Sequence, residues 1–158
     1  MGTMGMPAPA EQHRKLQALS GTWVGEEKLY PSPWDQAGGT ATGRIEARPG
    51  LDGFFVISDY QQERGGQVTY RGHGVYGYDT QTGRYTMSWF DSMGMSAGAP
   101  ALGVWEGNVL TFANQTPMGH SRYIYTFQSE GRHTFRMEHS QDGKAWSPFM
   151  EATYTRKS

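Results

Sequence analysis

The chain has no cysteine, which excludes disulfide scaffolds, thiolate metal sites, CxxC redox chemistry and cysteine nucleophiles. The same absence removes any sign of an oxidising compartment. Met1 to Ala10 has neither a basic stretch nor an apolar one and reads as a loose leader, disordered over residues 1–8, so a cytoplasmic location is expected. Long hydrophobic runs are missing too. The longest is Phe54-Phe55-Val56-Ile57, against the roughly 20 residues that a spanning helix needs, so no membrane partner is expected. Charge of one sign is also lacking: 14 Lys and Arg stand against 15 Asp and Glu, with no basic run. That balance argues against nucleic acid as a partner. No Walker A or HExxH string occurs, so neither of these strong motifs points to phosphate or zinc chemistry.

What the chain does contain is turn formers and aromatics. Its 158 residues suit one domain, spanning 9–158. Gly (22) and Pro (8) together make up close to a fifth of it, and aromatics reach 13%. Many short elements joined by tight turns follow from that mixture, and the expected class is all-β. One helix is expected over Glu11 to Leu19, where good helix formers run from Pro9 to Gly21. After Gly21 the Gly, Asn and Asp clusters mark hairpin turns between ten strands, at 22–30, 40–49, 54–63, 68–78, 84–91, 101–106, 109–116, 120–128, 132–139 and 145–156. Loops this short cannot hold crossover helices, so the strands form an antiparallel meander. A sheet of ten twisted strands curls, and closure into a barrel removes its edges. A two-sheet sandwich is the competing arrangement.

Alternation gives the inner face of several strands. Tyr85, Met87, Trp89 and Asp91 should face in, as should Leu110, Phe112 and Asn114, and Phe135, Met137 and His139. Strand 54–63 is apolar on both sides at its start and strand 68–78 is Gly-rich on one, so neither declares a face. Glu27 shares parity with Trp23 and Gly25; a carboxylate inside needs a partner such as Arg44 or shifts its pKa. Arg44, Glu46 and Arg48 read as a salt-bridged outer face.

The helix followed by Gly21-Thr22-Trp23 resembles the opening of lipocalin-type barrels. That resemblance implies that Trp23 plugs the closed end and that Arg156, on the last strand, covers its indole. A fuller likeness runs through GTWVGEEKLYPSPW, GGTATGRIEARPGLDGFFV, GHGVYGYD, WFDSMG, MGHSRYIYTF and EHSQDGKAWSPFMEATY. These strings resemble a bacterial family known as domain of unknown function family 1579, which implies a calycin-like β-barrel and carries no chemistry. Nitrobindin, a haem-binding barrel, is a more distant likeness by architecture. Its glycine-rich opening is met by Gly21, Trp23 and Gly25, but Glu27 stands where the next glycine would be. Haem, through His139 or His73, is therefore not expected, and no cofactor is assigned.

In a meander, alternate loops share one end. Loops 31–39, 64–67, 92–100, 117–119 and 140–144 then form the mouth, and the shorter turns with the helix close the other end. Trp34, Met93, Met95 and Met118 lie on the mouth loops, and soft apolar side chains there suit a small hydrophobic or amphipathic ligand. The expected ligand-binding set is Trp34, Met87, Trp89, Asp91, Met93, His120, Phe135 and His139, with His120 able to point outward. Asp91, His120 and His139 form a polar rim in this reading, rather than a metal site. Acid–base catalysis by Asp and His is the alternative, since one architecture hosts both functions. A non-enzymatic binding module is the reading the residues favour. Oligomeric state is not fixed by the sequence, and a homodimer is left open.

Overall fold

A computed structural model describes residues 5–33, 35–95 and 97–158. The helix is α1 (Glu11–Lys15), continued by a 3-10 turn at Leu16–Leu19. Ten strands follow: β1 (Gly21–Leu29), β2 (Gly39–Gly50), β3 (Phe55–Arg64), β4 (Gln67–Asp79), β5 (Arg84–Asp91), β6 (Ala101–Glu106), β7 (Val109–Thr116), β8 (Gly119–Ser129), β9 (Arg132–Ser140) and β10 (Ser147–Arg156). Each pairs with its chain neighbour and β1 also pairs with β10, which closes the barrel. All pairings are antiparallel. Closure leaves no free edge, so the sandwich is excluded.

The strand ends follow turn chemistry. Gly65 and Gly66, Gly83, Gly107 and Gly131 all take positive φ at hairpin turns, a conformation that only glycine adopts without steric cost. Three ladders slip by one residue, between Gln62 and Glu63, Phe127 and Ser129, and Pro148 and Met150. Such bulges re-aim the side chains beside them.

The helix end is plugged as the lipocalin resemblance implies. Trp23 is 1% exposed, its indole N–H donates to the Leu19 carbonyl at 3.0 Å, and the Arg156 guanidinium lies 4.7 Å from its ring. A second Arg156 contact, donation to the Ser20 carbonyl, pins the strand to the helix. His13 anchors α1 from the other side, edge-on to Phe54 and Tyr78. Above this plug the core is a stack of inward side chains, among them Leu110, Phe112, Val56, Tyr76 and Met87.

The two strands whose faces the sequence left open are resolved by register. Val56, Ser58, Tyr60 and Gln62 point inward from β3, and Gly72, Gly74, Tyr76 and Tyr78 from β4, since these pair across the ladder with residues already inside. His73 therefore faces out, where it meets Asp59 at 2.7 Å. That removes it as a ligand to anything held in the lumen. Arg44 and Arg48 also face out and pair with Glu63 and Asp59, so Arg44 is not the partner of Glu27.

Candidate functional site: the upper lumen

Exposure of the inward side chains rises toward the mouth. Along β5, Tyr85 and Met87 are buried whereas Trp89 and Asp91 are partly exposed. Along β7, Leu110 and Phe112 are fully buried and Asn114 is not; along β9, His133 is buried while Phe135, Met137 and His139 are partly open. The lower half is a packed core and the upper half is a cup. Met87, expected to line a pocket, belongs to the floor at 6% exposed.

The wall of the cup is interrupted on one side. β5 pairs with β6 only over Tyr85–Met87, and β6 begins at Ala101, opposite Met87, with Leu102 opposite Ala113 of β7. Above that level, among the described residues, no strand bridges the ends of β5 and β7. Asp91 and Asn114 occupy the inner positions at the two strand ends that flank this notch.

Three side chains form a relay on the inner wall. The Trp89 indole N–H donates to the Tyr70 hydroxyl at 2.9 Å, and that hydroxyl donates to Asp91 Oδ2 at 2.8 Å. Asp91 Oδ1 accepts from the Met93 backbone N–H at 3.0 Å. The glycines on β4 make this arrangement possible, because a Cβ on Gly72 or Gly74 would intrude on the Trp89 ring. The indole therefore packs against the glycines of the β4 wall. Gly72→Ala is expected to displace the indole at an overpacking cost of about 1–3 kcal/mol. A red-shifted tryptophan emission, with a lower urea midpoint, is the expected observation; an unchanged spectrum would contradict this role for Gly72.

Beneath the relay sits a buried carboxylate. Glu27 is 0% exposed; it accepts from Tyr60 at 2.8 Å, from Gln62 at 3.0 Å and from Tyr154. Gly43, across the β1–β2 ladder, leaves the space this carboxylate fills. Burial drives the Glu27 pKa above its ordinary value, and the hydrogen bonds from Tyr154, Tyr60 and Gln62 offset only part of that push. Burial also raises Tyr60 and Tyr70, reinforced by the adjacent Glu27 and Asp91 carboxylates. Both phenols are thereby held protonated, as donors.

The expected site residues separate. Trp89, Asp91, Phe135 and His139 share the lumen as parity predicted. His120 does not join them: it lies on the outer face, 6.5 Å from the Trp146 ring, so the Asp and two His residues are not gathered. Among the described residues no group of three or more His, Asp or Glu is placed to hold a metal. Met93 is 70% exposed and directed at solvent, as are Met95 and Met118. Trp34 lies outside the described residues. Next to it in the chain, Asp35 pairs with Arg64 at 2.9 Å and Arg64 donates to the Gly38 carbonyl. Two defined grooves lie outside the lumen, one on the outer wall along β1 and β2 up to Gly65 and Gly66 and one between α1 and β4–β6.

Tyr60, Gln62, Tyr70 and Tyr123 were missed from the sequence, and Asn114, read as facing in, was not assigned to the site. Tyr70 follows the same parity as Gly72, Gly74, Tyr76 and Tyr78 and pairs with Gln62, but the sequence left the inner face of β4 undeclared. Two motif-like strings do occur: Gly72-His73-Gly74-Val75-Tyr76-Gly77 and Gly94-Met95-Ser96-Ala97-Gly98. The first runs within β4 with no helix after it, so it lacks the strand–turn–helix context of a dinucleotide loop. Ser96 of the second lies outside the described residues.

The family described as "Protein of unknown function (DUF1579)" matches residues 8–156. The chain belongs to that family. Its fold recurs in the crystal structure of Rv2717c from M. tuberculosis, at a TM-score of 0.71 over 94% of this chain and 99% of that one. Sequence identity is 12%, so the likeness is one of fold alone. No curated protein matches the chain. DUF1579 membership thus carries the barrel, and chemistry has to come from the residues in the cup.

Proposed function

We propose that this DUF1579 protein is a small-molecule binding protein that holds a hydrophobic or amphipathic ligand in the upper lumen. The observation that carries the reading is the division of the barrel into a packed floor and a partly exposed aromatic cup beside a notch in the wall. Pockets for small molecules combine apolar lining with a few placed polar groups. Here Trp89, Tyr123, Phe135 and Met137 provide the lining, and Asp91, Asn114 and His139 the polar groups. Burial of ligand surface contributes roughly 25 cal/mol per Å², and the internally hydrogen-bonded relay reduces the ordering cost of binding.

Titration with N-phenylnaphthylamine, a neutral dye that brightens in apolar surroundings, tests this directly. One equivalent should bind, and Met137→Trp, which fills the cup, should abolish uptake while thermal unfolding stays cooperative. Dye uptake that ignores Met137→Trp, or no uptake at all, would refute lumen binding.

A further inference from the structure

We infer that the ligand class is an organic cation, an ammonium group on an aromatic or apolar body, with its charged head at Asp91 beside the notch. The inference rests on the lumen-binding reading above and adds the charge and hydrogen-bonding character of what is bound.

Its first support is the sign of the charges facing the cup. Glu27 and Asp91 are the inward carboxylates. Among the described residues, the lysines and arginines of the surrounding strands point elsewhere or are already paired. Arg44 bonds Glu63; Arg122 and Arg136 bond Glu138 on the outer face. Arg64, at the rim, is held by Asp35 and the Gly38 carbonyl. Arg156 is at the opposite end, over Trp23. An anionic ligand would therefore meet no free lysine or arginine on the strands lining the cup, whereas a cation would meet a carboxylate.

The second support is independent of charge and comes from the count of donors and acceptors. Four donors beside Asp91 and Glu27 are already committed: Trp89 to Tyr70, Tyr70 to Asp91, Tyr60 and Gln62 to Glu27. At Asp91 and Asn114 the spare capacity is for accepting. Each oxygen of Asp91 takes a single hydrogen bond, and a carboxylate can accept about four. Asn114 Oδ1 is buried with no partner at all, an arrangement that native structures rarely leave unexplained. An ammonium N–H supplies what both groups lack.

The third is the lining. Tyr60, Tyr70 and Trp89 cluster with ring centroids 6.0 and 6.1 Å apart. Electron-rich ring faces attract cations by about 0.5–2 kcal/mol depending on desolvation. Aromatic faces beside a carboxylate discriminate between heads of equal size and different charge.

Three probes with one aromatic body separate the possibilities: naphthylethylammonium, naphthylethanol and naphthylpropanoate, measured by equilibrium dialysis at neutral pH. The ammonium should bind at least about tenfold more tightly than the alcohol, with the carboxylate weakest. Asp91→Asn should bring the ammonium to within about twofold of the alcohol, and Asp91→Glu, which keeps the charge, should retain the preference. The wild-type ranking stands as a test even if a variant fails to fold. Equal binding of alcohol and ammonium, or tighter binding of the carboxylate, would overturn the cationic class while leaving lumen binding intact. Failure of all three probes to bind would overturn both.

Discussion

Glu27→Ala is expected to destabilise the barrel by about 3–5 kcal/mol, a large share of the 5–15 kcal/mol typical of a domain. The carboxylate is the common acceptor for Tyr60, Gln62 and Tyr154. Its removal leaves three donors facing a cavity, and each unpaired buried polar group costs about 1–3 kcal/mol. Relaxation into the space vacated beside Gly43 recovers part of that sum. Glu27→Gln retains one acceptor oxygen and nearly the same shape, so its cost should be smaller. The sign of the pH dependence distinguishes a charged from a neutral role. The folded-state pKa of Glu27 lies above the ordinary 4.5, so the folded protein holds this proton more tightly than the unfolded chain does. Its contribution is full below 4.5 and declines as pH rises toward the raised value. The stability gap between wild type and Glu27→Gln should therefore widen on acidification from neutral pH. Urea denaturation across that range measures it; a loss under about 1 kcal/mol for Glu27→Ala would show that the network is not structural.

His133 sets the second large effect, with the opposite sign. It is 2% exposed, lies 4.3 Å from the Trp23 ring in an edge-on arrangement, and its Nδ1 has no hydrogen-bond partner. Burial, with the positive charge of Arg156, lowers its pKa from 6.5 to about 4. The imidazole is neutral in the fold, while the unfolded chain takes up a proton near 6.5. Stability from this group is complete above that value and is lost as pH falls toward 4, by about 3 kcal/mol in all. Asp59 and Glu138 are lowered from 3.8 and 4.5, so their own losses fall below that window. His133→Phe removes the titrating group and the orphaned nitrogen together. As pH falls from 6.5 toward 4, the stability of the wild type relative to His133→Phe, measured by urea denaturation, should decline by about 3 kcal/mol, a difference in which the opposing Glu27 contribution cancels. Parallel curves for the two proteins would contradict the assignment.

The strands were legible because turn residues are local. Gly65-Gly66, Gly83, Gly107 and Gly131 mark hairpins whatever else the chain does, and each observed strand end falls within two residues of the expected one. Parity was equally local along β5, β7 and β9, where Trp89, Asp91, Asn114 and His139 face in as alternation requires. Outside those strands it gave less. Local pattern could not show that Met93 turns to solvent at 70% exposure, nor that His120 sits on the outer face, because loop direction depends on what the barrel offers to pack against. The glycines of β4 read as a gap in the pattern. They are space left for an indole from the next strand.

The sequence by itself determined an all-β chain of ten strands, the order in which they meander, the helix end as the plugged end, and the inner face of three strands. Each follows from neighbours a few positions apart, where propensity and alternation act. Only the tertiary structure decided the partners of the polar groups. Glu27 meets Tyr60 and Tyr154 across separations of 33 and 127 residues, and Tyr70 reaches Asp91 across 21. Closure of the barrel brings these groups together, and burial, which no short window of sequence expresses, then shifts their proton affinities.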